Sequence, residues 1–375
     1  MKLFYLCYFG AAGVYFPYAG LYLGAIGLSG SQIGLIASTV PLAGVLLQPL
    51  WGLLSDRYGW RKRLLTTALL ASALTAPFVA LAHSFALLLL PIATLAVALS
   101  PTIPLADATT LQWLRRNGGS YGAVRIYGSF GFMLTALAAG SFFAGTGILR
   151  LFPLYGLLLG ATFAVSLAAP GQGDAGMLRR GSSGIGALLR DRALVLFLVL
   201  CFAAYATYAA YNTFFGLYLR DLGAGTGVVG VAAGLASLSE LPVMAAVGLA
   251  MRRLGVKPVL LIGLGAALVR WLAYAVLRDY HAVLVFQALH GLSFAAFYVA
   301  GITFIDRRVP ASLRATGQTL FYGATFGLGT CLGTDIFGVL YQRLHAAGMF
   351  LVAGLVCAVV IVGLLLVMPH TDMAQ

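Results

Sequence analysis

Charged side chains are scarce in this chain. Asp, Glu, Lys and Arg together make up 9% of its 375 residues, hydrophobic residues make up 61%, and the mean hydropathy is +0.97. A soluble protein of this length has no need of so apolar a composition. The scarcity of charge therefore indicates an integral membrane protein that lies in a lipid bilayer and crosses it several times.

Acidic residues are rarer than basic ones. The chain has 10 Asp and Glu against 23 Lys and Arg, which gives a formal net charge of +13. Such an excess can suggest nucleic-acid binding, but no basic segment here is long enough, and the basic residues fall in short turns between apolar spans. We therefore expect no nucleic-acid partner and interpret the basic residues as topology signals.

The four cysteines show no paired spacing. Cys7, Cys201, Cys331 and Cys357 all fall inside apolar spans, so disulfide, zinc and redox interpretations lack support. The sequence also shows no nucleophile next to a base, no metal-ligand spacing and no phosphate-binding loop. We therefore predict that the protein is not an enzyme and needs no metal and no cofactor.

Apolar runs of about 20 residues or more, long enough to cross a bilayer as helices, follow one another along the chain. Six precede and six follow a polar, glycine-rich segment at residues 170–190. The first run continues well past the length of a signal-peptide core, so we interpret it as a retained helix. The twelve predicted spans lie at about 3–25, 30–54, 62–82, 85–114, 120–145, 149–169, 192–219, 225–252, 256–277, 281–305, 312–342 and 346–368.

The distribution of Lys and Arg predicts the orientation. Of the 23 basic residues, only four lie in the turns after spans 1, 3, 5, 7, 9 and 11. Apart from Lys2, Arg125 and Arg270, the other 16 lie in or beside the turns after spans 2, 4, 6, 8 and 10. Because positively charged turns stay on the cytoplasmic side, we predict that both termini are cytoplasmic. Arg270 lies inside span 9.

The turns after spans 2 and 8 repeat one pattern. Gly52–Lys62 reads GLLSDRYGWRK and Gly248–Lys257 reads GLAMRRLGVK, and each places a basic residue two positions after its second glycine. The repeat indicates two related halves, as in many transporters. We predict an all-α membrane fold of twelve transmembrane helices, with a six-helix bundle at 1–170, a cytoplasmic linker at 171–190 and a second six-helix bundle at 191–375.

Two charges lie inside spans 4 and 5. Asp107 and Arg125 are each nine residues from Arg116, which lies in the turn between these spans. In two antiparallel helices they would share one depth, roughly 13 Å from the turn, so we predict an ion pair. Charges inside a bilayer usually mark a pathway or a binding site. We interpret the pair as part of a solute site, and a purely structural pair is the alternative.

The motif G-x-x-x-D-R-x-G-x-R-K at Gly52–Lys62 resembles the signature loop of the major facilitator superfamily. Within that superfamily, segments of spans 1, 2, 4 and 5 resemble lactose permease-type proton symporters, and one segment of span 10 is similar to the phenylpropionate permease group. The resemblance covers nearly the whole chain and implies a monomeric secondary transporter of the bacterial inner membrane. The segments are VYFP at 14–17, QPLWGLLSD at 48–56, PLADA at 104–108, YGAVRIYG at 121–128 and LHGLSFAAF at 289–297.

The resemblance implies that Asp107 and Arg125 bind sugar hydroxyls, although the resembled permeases have Glu in place of the Asp. Independently, a guanidinium offers a planar fork of donors that suits a carboxylate or paired hydroxyls. Phe132 lies two helical turns beyond Arg125 and is expected to form an aromatic wall of the site. A packing role for Phe132, in the core or against lipid, is the alternative.

In the second half, the resemblance implies coupling and binding roles for Glu240, Arg270 and His290, in spans 8, 9 and 10. A carboxylate in a low dielectric is neutralised more easily, and a neighbouring arginine opposes this. Such a group can gain and lose a proton during transport. The alternative for His290 is a hydrogen-bonded core histidine. The alternative for Glu240 is a structural partner of Arg270.

The second half also departs from the resembled permeases. Ser293 stands where they have their main proton-coupling acid, and Gln287 stands where they have a lysine. Tyr205 and Tyr208 replace acidic residues of span 7. Opposite charges lost together suggest that they balanced one another, so proton coupling must run through the remaining acids. The candidates are Glu240, Asp107 and Asp335, with His290 as a partner; Asp335 can also be a hydrated end group of span 11.

Two further stripes are candidates for a cavity wall. Phe16 belongs to an aromatic stripe of span 1, and Tyr208 and Asn212 belong to a polar face of span 7. Helical spacing places the members of each stripe on one side of a helix. We assign Phe16, Tyr208 and Asn212 to solute binding, with aromatic packing as the alternative for span 1.

The signature loop is a candidate gate. An acid at the end of span 2 can cap a helix or pair with basic residues and so hold the cytoplasmic side shut. A similar group of charged residues after span 10, at 306–314, is either a counterpart of this gate in the second half or simply solvated charge. The residues assigned to the gate are Gly52, Asp56, Arg57, Gly59, Arg61 and Lys62.

These observations lead to a secondary transporter. We predict symport of a small organic solute with protons by alternating access, with an aromatic or other small carboxylate as first choice and a glycoside or nucleoside as second. Two arginines inside the spans favour the carboxylate, and the Asp107 and Arg125 pair favours the glycoside or nucleoside. The alternatives are proton-coupled export, which the absence of proline from residues 128–140 disfavours, and a receptor that has lost transport.

Overall fold

The computed structural model describes residues 1–169 and 185–367, apart from the side chains of Asp56 and Ala315. All regular structure within these ranges is helical. The predicted linker at 171–190 lies mostly outside the described residues.

The first half of the chain forms eight α-helices whose ends follow from the sequence. Ser29 and Gln32 form a reciprocal capping box at the start of α3, and Gly59 ends that helix in a left-handed conformation (φ 64°). Pro17 follows the end of α1, where a proline cannot continue the hydrogen-bond ladder. The helices are α1 Lys2–Tyr15, α2 Ala19–Ala25, α3 Gly30–Tyr58, α4 Arg61–Val79, α5 Phe85–Leu99, α6 Thr102–Asn117, α7 Tyr121–Thr146 and α8 Leu151–Leu167.

The second half forms eight more. Between α13 and α14 the chain passes through a 3₁₀ turn at Phe286–Leu289 and a π-helical turn at Leu292–Ala296, and a second π-helical turn at Gly323–Gly329 joins α15 to α16. Such turns often mark functional sites. The helices are α9 Ile185–Leu188, α10 Arg192–Asp221, α11 Thr226–Leu254, α12 Val256–Val276, α13 Tyr280–Val285, α14 Phe297–Arg308, α15 Arg314–Tyr322 and α16 Thr330–Val367.

The twelve predicted spans fall on helical segments, but fewer stretches qualify as crossings by length and apolarity. Within the described ranges there are nine such stretches. Span 1 is divided between α1 and α2. Spans 11 and 12 fall in one stretch at Thr316–Val367, which contains the π-helical turn at Gly323–Gly329 and the non-helical backbone of His345. The number of crossings and the cytoplasmic position of the termini remain predictions.

Two compact units make up the chain, and the first contains Met1–Leu178 together with Phe215–Gly234. In it α1 packs along α7 and α8. Burial of apolar surface at this junction provides the favourable free energy that orders the four helices carrying the first candidate site. The buried cluster that joins α1, α4, α6 and α7 consists of Phe4, Tyr5, Leu65, Leu69, Leu105, Ala106 and Val124.

The second unit contains Arg179–Phe214 together with Leu235–Gln375. Here α12 packs against α16 and against the irregular turns that follow α13. Trp271 on α12 is completely buried, and its ring stacks on Phe350 of α16 at 5.9 Å. The division of the chain into bundles at 1–170 and 191–375 remains a prediction.

Candidate functional site

Asp107 is held by tyrosines in the first unit. The hydroxyl of Tyr5 on α1 donates to Asp107 Oδ1 at 2.5 Å, and the hydroxyl of Tyr121 on α7 donates to the same oxygen at 2.9 Å. Tyr5 is completely buried, whereas Asp107 is half-buried. Two hydroxyl donors bind Oδ1 of the carboxylate in place of a guanidinium.

Arg125 lies close by but contacts a ring instead of the carboxylate. Its Cζ is 3.7 Å from the ring centroid of Phe9 and 5.9 Å from that of Tyr5, both on α1. In the described part of the chain, Arg125 makes no hydrogen bond and no ion pair. The predicted ion pair between Asp107 and Arg125 is therefore wrong for this structure, because the tyrosines bind the acid and Phe9 supports the base.

Phe132 and Phe16 lie in the spans where they were expected, but their contacts do not define a role for either side chain. Phe132 is half-buried on α7. Phe16 lies at the break between α1 and α2, where it is 55% exposed and packs edge-on against Tyr15. Their assignment to solute binding remains a prediction.

The second unit pairs Glu240 with His290. Glu240 Oε1 on α11 lies 3.1 Å from His290 Nε2, which directly follows the 3₁₀ turn after α13. His290 Nδ1 is buried and has no hydrogen-bond partner among the described residues. A buried polar atom without a partner costs free energy, so this arrangement disfavours a fully hydrogen-bonded core histidine.

Arg270 is enclosed in the same unit. Its side chain is completely buried and donates to Tyr274, to the Ser293 hydroxyl at 2.8 Å and to Gln287 Oε1 at 3.1 Å. The guanidinium also lies over the ring of Tyr211 at 4.6 Å. No carboxylate within the described ranges forms an ion pair with it. Neutral acceptors and ring faces stabilise this charge, and each of its three nitrogens donates one hydrogen bond in this conformation.

The other assigned residues of this unit are dispersed. Tyr208 is completely buried and donates to the backbone oxygen of Ser293 at 2.9 Å, so its hydroxyl is already engaged. Asn212 is exposed on α10, and Asp335 is half-buried on α16. Their assigned roles remain predictions.

An aromatic cluster is the main feature that the sequence interpretation missed. Tyr298 and Tyr322 share a hydroxyl–hydroxyl hydrogen bond at 2.6 Å, and the Phe326 ring lies 5.8 Å from Tyr298 and 4.4 Å from Tyr205. Phe294 stacks one helical turn before Tyr298 at 5.9 Å. Phe294 and Phe326 lie within the two π-helical turns, and Tyr298 and Tyr322 lie next to them. Aromatic pairs four residues apart, Phe294 with Tyr298 and Tyr322 with Phe326, were the signal available in the sequence.

Tyr5 was missed as well. Its position four residues before Phe9 in the aromatic first span was the available signal, since residues at this spacing share one face of a helix.

The gate residues lie at the α3–α4 turn. Arg61 Nη1 donates to Gln112 Oε1 on α6 at 2.9 Å, and the Arg57 guanidinium lies over the neighbouring Tyr58 ring. Gly52 lies in the last part of α3 and Lys62 in the first turn of α4. The side chain of Asp56 lies outside what the structure describes, so the latch remains a prediction.

The proposed counterpart of the gate forms ion pairs within the second unit. Arg308 binds Asp191 through two hydrogen bonds of 2.8 and 2.9 Å, and Arg314 lies 3.5 Å from Asp306. The α14–α15 turn is therefore tied to the residue that precedes α10.

Comparison with known proteins places this geometry in a family. The protein-family model of the MFS_1 like family matches residues 1–352 of the sequence. The chain therefore belongs to this family and is a transporter of the major facilitator superfamily, a multi-pass protein of the cell membrane and not an enzyme.

Individual relatives agree with this assignment. The chain is 32% identical over 335 residues to a maltose permease of Geobacillus stearothermophilus, covering 88% of this chain and 84% of the permease. It is 23% identical over 278 residues to a xanthosine permease of Escherichia coli strain K12, covering 68% of this chain and 66% of that protein. The crystal structure of a mutant of the nucleoside transporter NupG superimposes with a TM-score of 0.90 over 98% of both chains at 19% identity, which shows the common fold.

Proposed function

We propose that this transporter moves a neutral, polyhydroxylated solute, a glycoside or a nucleoside, together with protons. The arrangement of Asp107 and Arg125 carries this proposal. Asp107 presents acceptor oxygens while Arg125, stacked on Phe9, keeps its donors free of hydrogen bonds to the described residues. Both groups border the ring of Tyr5.

A sugar hydroxyl both donates and accepts, so vicinal hydroxyls can use the carboxylate and the guanidinium at once. A carboxylate solute would gain from Arg125 but would meet the like charge of Asp107, which disfavours it. The second arginine that favoured a carboxylate, Arg270, is completely buried and donates to Tyr274, Ser293 and Gln287. These contacts favour the glycoside or nucleoside over the carboxylate that the sequence put first.

The aromatic cluster of the second unit supports the same class. Phe294, Tyr298 and Phe326 are half-buried and Tyr322 is exposed, so ring faces remain available for stacking. A nucleobase or the apolar face of a sugar ring can pack on such a surface. The names of the maltose and xanthosine relatives are consistent with this choice.

Proton coupling is assigned to Glu240 with His290. The carboxylate and the imidazole are 3.1 Å apart, and their side chains are 27% and 11% exposed. A proton bound by the carboxylate removes a negative charge inside the bilayer, and a proton bound by the imidazole adds a positive one. Solute and proton then favour the same conformations, and each raises the affinity for the other. Asp335 and Asp107 are the alternative proton carriers.

The first test is thermal unfolding of the purified protein in detergent with maltose, xanthosine, other nucleosides and 3-phenylpropionate, at acidic and alkaline pH. A ligand that binds only the folded state raises the midpoint with its concentration. We expect a neutral glycoside or nucleoside to stabilise wild type, and both Asp107→Ala and Arg125→Ala to abolish the effect. Stabilisation by the carboxylate alone, retained in Asp107→Ala and lost in Arg125→Ala, would overturn the choice of solute.

The second test is uptake into proteoliposomes. An inward proton gradient should concentrate the stabilising solute, and a protonophore should stop the accumulation. Binding without any movement across the membrane would support a receptor instead of a transporter.

A further inference from the structure

The first unit presents its two charges through one face of α1. Tyr5 and Phe9 are four residues apart and stack with ring centroids 6.3 Å apart and planes within 3° of parallel. Tyr5 binds Asp107 through its hydroxyl, and Phe9 lies under the Arg125 guanidinium at 3.7 Å. In the stacked pair, Tyr5 therefore binds the negative charge and Phe9 contacts the positive one.

Gly128 makes room for this arrangement. It is buried on α7, three residues after Arg125, and a Cβ added there would lie 2.7 Å from Arg125 Nη1 and 2.7 Å from Phe9 Cδ2. Any larger residue would have to displace the guanidinium or the Phe9 ring. The sequence of α7 is thus fitted to a stacked arginine.

We infer that Phe9 is a positioning residue that keeps Arg125 from pairing with Asp107. Both charges lie beside Tyr5, and an ion pair between them would neutralise the site before a solute arrives. Attraction between the guanidinium and the ring quadrupole holds the cation on Phe9 and leaves its in-plane N–H groups for solute hydroxyls. The inference rests on the proposed function of this site.

The inference predicts dependence on the electron density of the ring and not only on its size. Progressive fluorination of a phenylalanine weakens its cation-binding face while changing its volume little. We would therefore replace Phe9 by mono-, di- and trifluorophenylalanine in the full-length protein. Each variant is made with Arg125 present and in an Arg125→Leu background.

The first measurement is thermal unfolding without solute. With Arg125 present, the unfolding midpoint should fall stepwise along the fluorinated series. In the Arg125→Leu background it should not fall. Equal behaviour of the two backgrounds would overturn the inference, because it would show that Arg125 does not depend on the ring.

The second measurement is affinity for the stabilising solute. We expect affinity to fall along the series, reaching about tenfold weaker binding when the ring attraction is lost. Phe9→Leu should raise KM with little change in kcat, whereas Phe9→Tyr, which keeps a ring, should have the KM of wild type. Phe130→Leu removes an exposed ring from α7 and should leave KM unchanged. An unchanged affinity in Phe9→Leu would overturn the positioning role.

The two measurements separate this inference from the proposed function. A stepwise fall in stability that depends on Arg125, with no glycoside or nucleoside bound by wild type, would count against the proposed solute class alone. If the unfolding midpoint and the solute affinity stayed constant along the fluorinated series, in a protein that binds and accumulates such a solute, the result would count against the role of Phe9 alone.

Discussion

The Arg270 guanidinium donates to the Ser293 hydroxyl at 2.8 Å. Ser293 also donates to the backbone oxygen of His290 at 2.9 Å, so the arginine is connected through one serine to the residue that contacts Glu240. In the resembled permeases an acid stands in place of this serine. A neutral hydroxyl here leaves Arg270 as a buried cation held by dipoles, and this makes its contribution to stability testable.

Arg270→Ala should strongly destabilise the protein. The substitution removes three hydrogen bonds made by a charged donor and leaves Gln287 Oε1 and the Ser293 hydroxyl buried with fewer partners. We expect a loss of about 3 kcal/mol in the free energy of unfolding, measured as a lower thermal midpoint in detergent. Arg278→Ala is the matched control, because that exposed side chain donates only to backbone oxygens. Equal midpoints for the two variants would show that the enclosed arginine is not structural.

Glu240→Gln should uncouple transport from the proton gradient. Glutamine keeps the size of the side chain and a hydrogen-bond acceptor for His290 but cannot exchange a proton. We expect gradient-driven accumulation to disappear in proteoliposomes, while exchange of labelled for unlabelled solute at equal pH continues. Asp279→Asn changes an exposed acid at the start of α13 and should accumulate solute normally. If Glu240→Gln abolished exchange as well, Glu240 would have a binding or folding role instead.

Gly291→Ala should disturb the same pair by displacing backbone. A Cβ at position 291 would overlap the carbonyl of Ser239, and the Gly291 N–H donates to the Ser239 hydroxyl at 2.8 Å. These residues directly adjoin His290 and Glu240. We expect a cost of about 1–3 kcal/mol in stability together with weakened gradient-driven accumulation. Gly265→Ala is the control, because that helix position has open space around it and should be neutral or stabilising. Normal accumulation in Gly291→Ala would separate this contact from coupling.

Much of the architecture could be predicted from residue order. Apolar runs placed the helices, because a bilayer demands long apolar segments with satisfied backbones. Helix ends were predicted less closely: span 2 was expected at about 30–54, but α3 continues to Tyr58 and ends at Gly59. The breaks were less visible: span 1 is divided near Pro17, and the interruption within α16 falls at His345, whose residue type gives no warning.

The site was predicted as a set of residues but not as a set of contacts. The charges of Asp107 and Arg125 stood out, yet opposite charges suggested an ion pair where the structure has two separate partners. The competing donor of Tyr5 and the ring of Phe9 lie more than 90 residues earlier in the sequence. Spacing within one pair of helices does not reveal what a third helix offers to the same charges.

Lowering the pH should weaken one ion pair outside the spans. Arg308 hydrogen-bonds Asp191 and holds the pKa of that carboxyl below its usual value, and backbone N–H groups at the start of α10 add to this. A carboxyl whose pKa is lower in the folded state stabilises it fully above about pH 4 to 5 and loses that contribution as pH falls through the lower value. The pair is partly exposed, so its contribution is about 0.5 kcal/mol.

The measurement compares wild type with Asp191→Asn and Arg308→Gln by thermal unfolding from neutral to acidic pH. Both variants should have lower midpoints than wild type near neutral pH, and the differences should shrink in acid as Asp191 becomes protonated. A difference between wild type and Asp191→Asn that stayed constant with pH would indicate a role independent of the carboxyl charge.

His345→Gly should stabilise the protein. His345 has φ 56° and ψ −178°, a conformation that glycine adopts easily and that strains other residues. Its side chain is exposed, so little contact is lost with it. Relief of strain should exceed the extra freedom that glycine gives the unfolded chain, for a net gain of about 1 kcal/mol. His345→Ala removes the same side chain but keeps the strained Cβ, so it should not raise the thermal midpoint. Equal gains in both variants would trace the effect to the imidazole and not to the backbone.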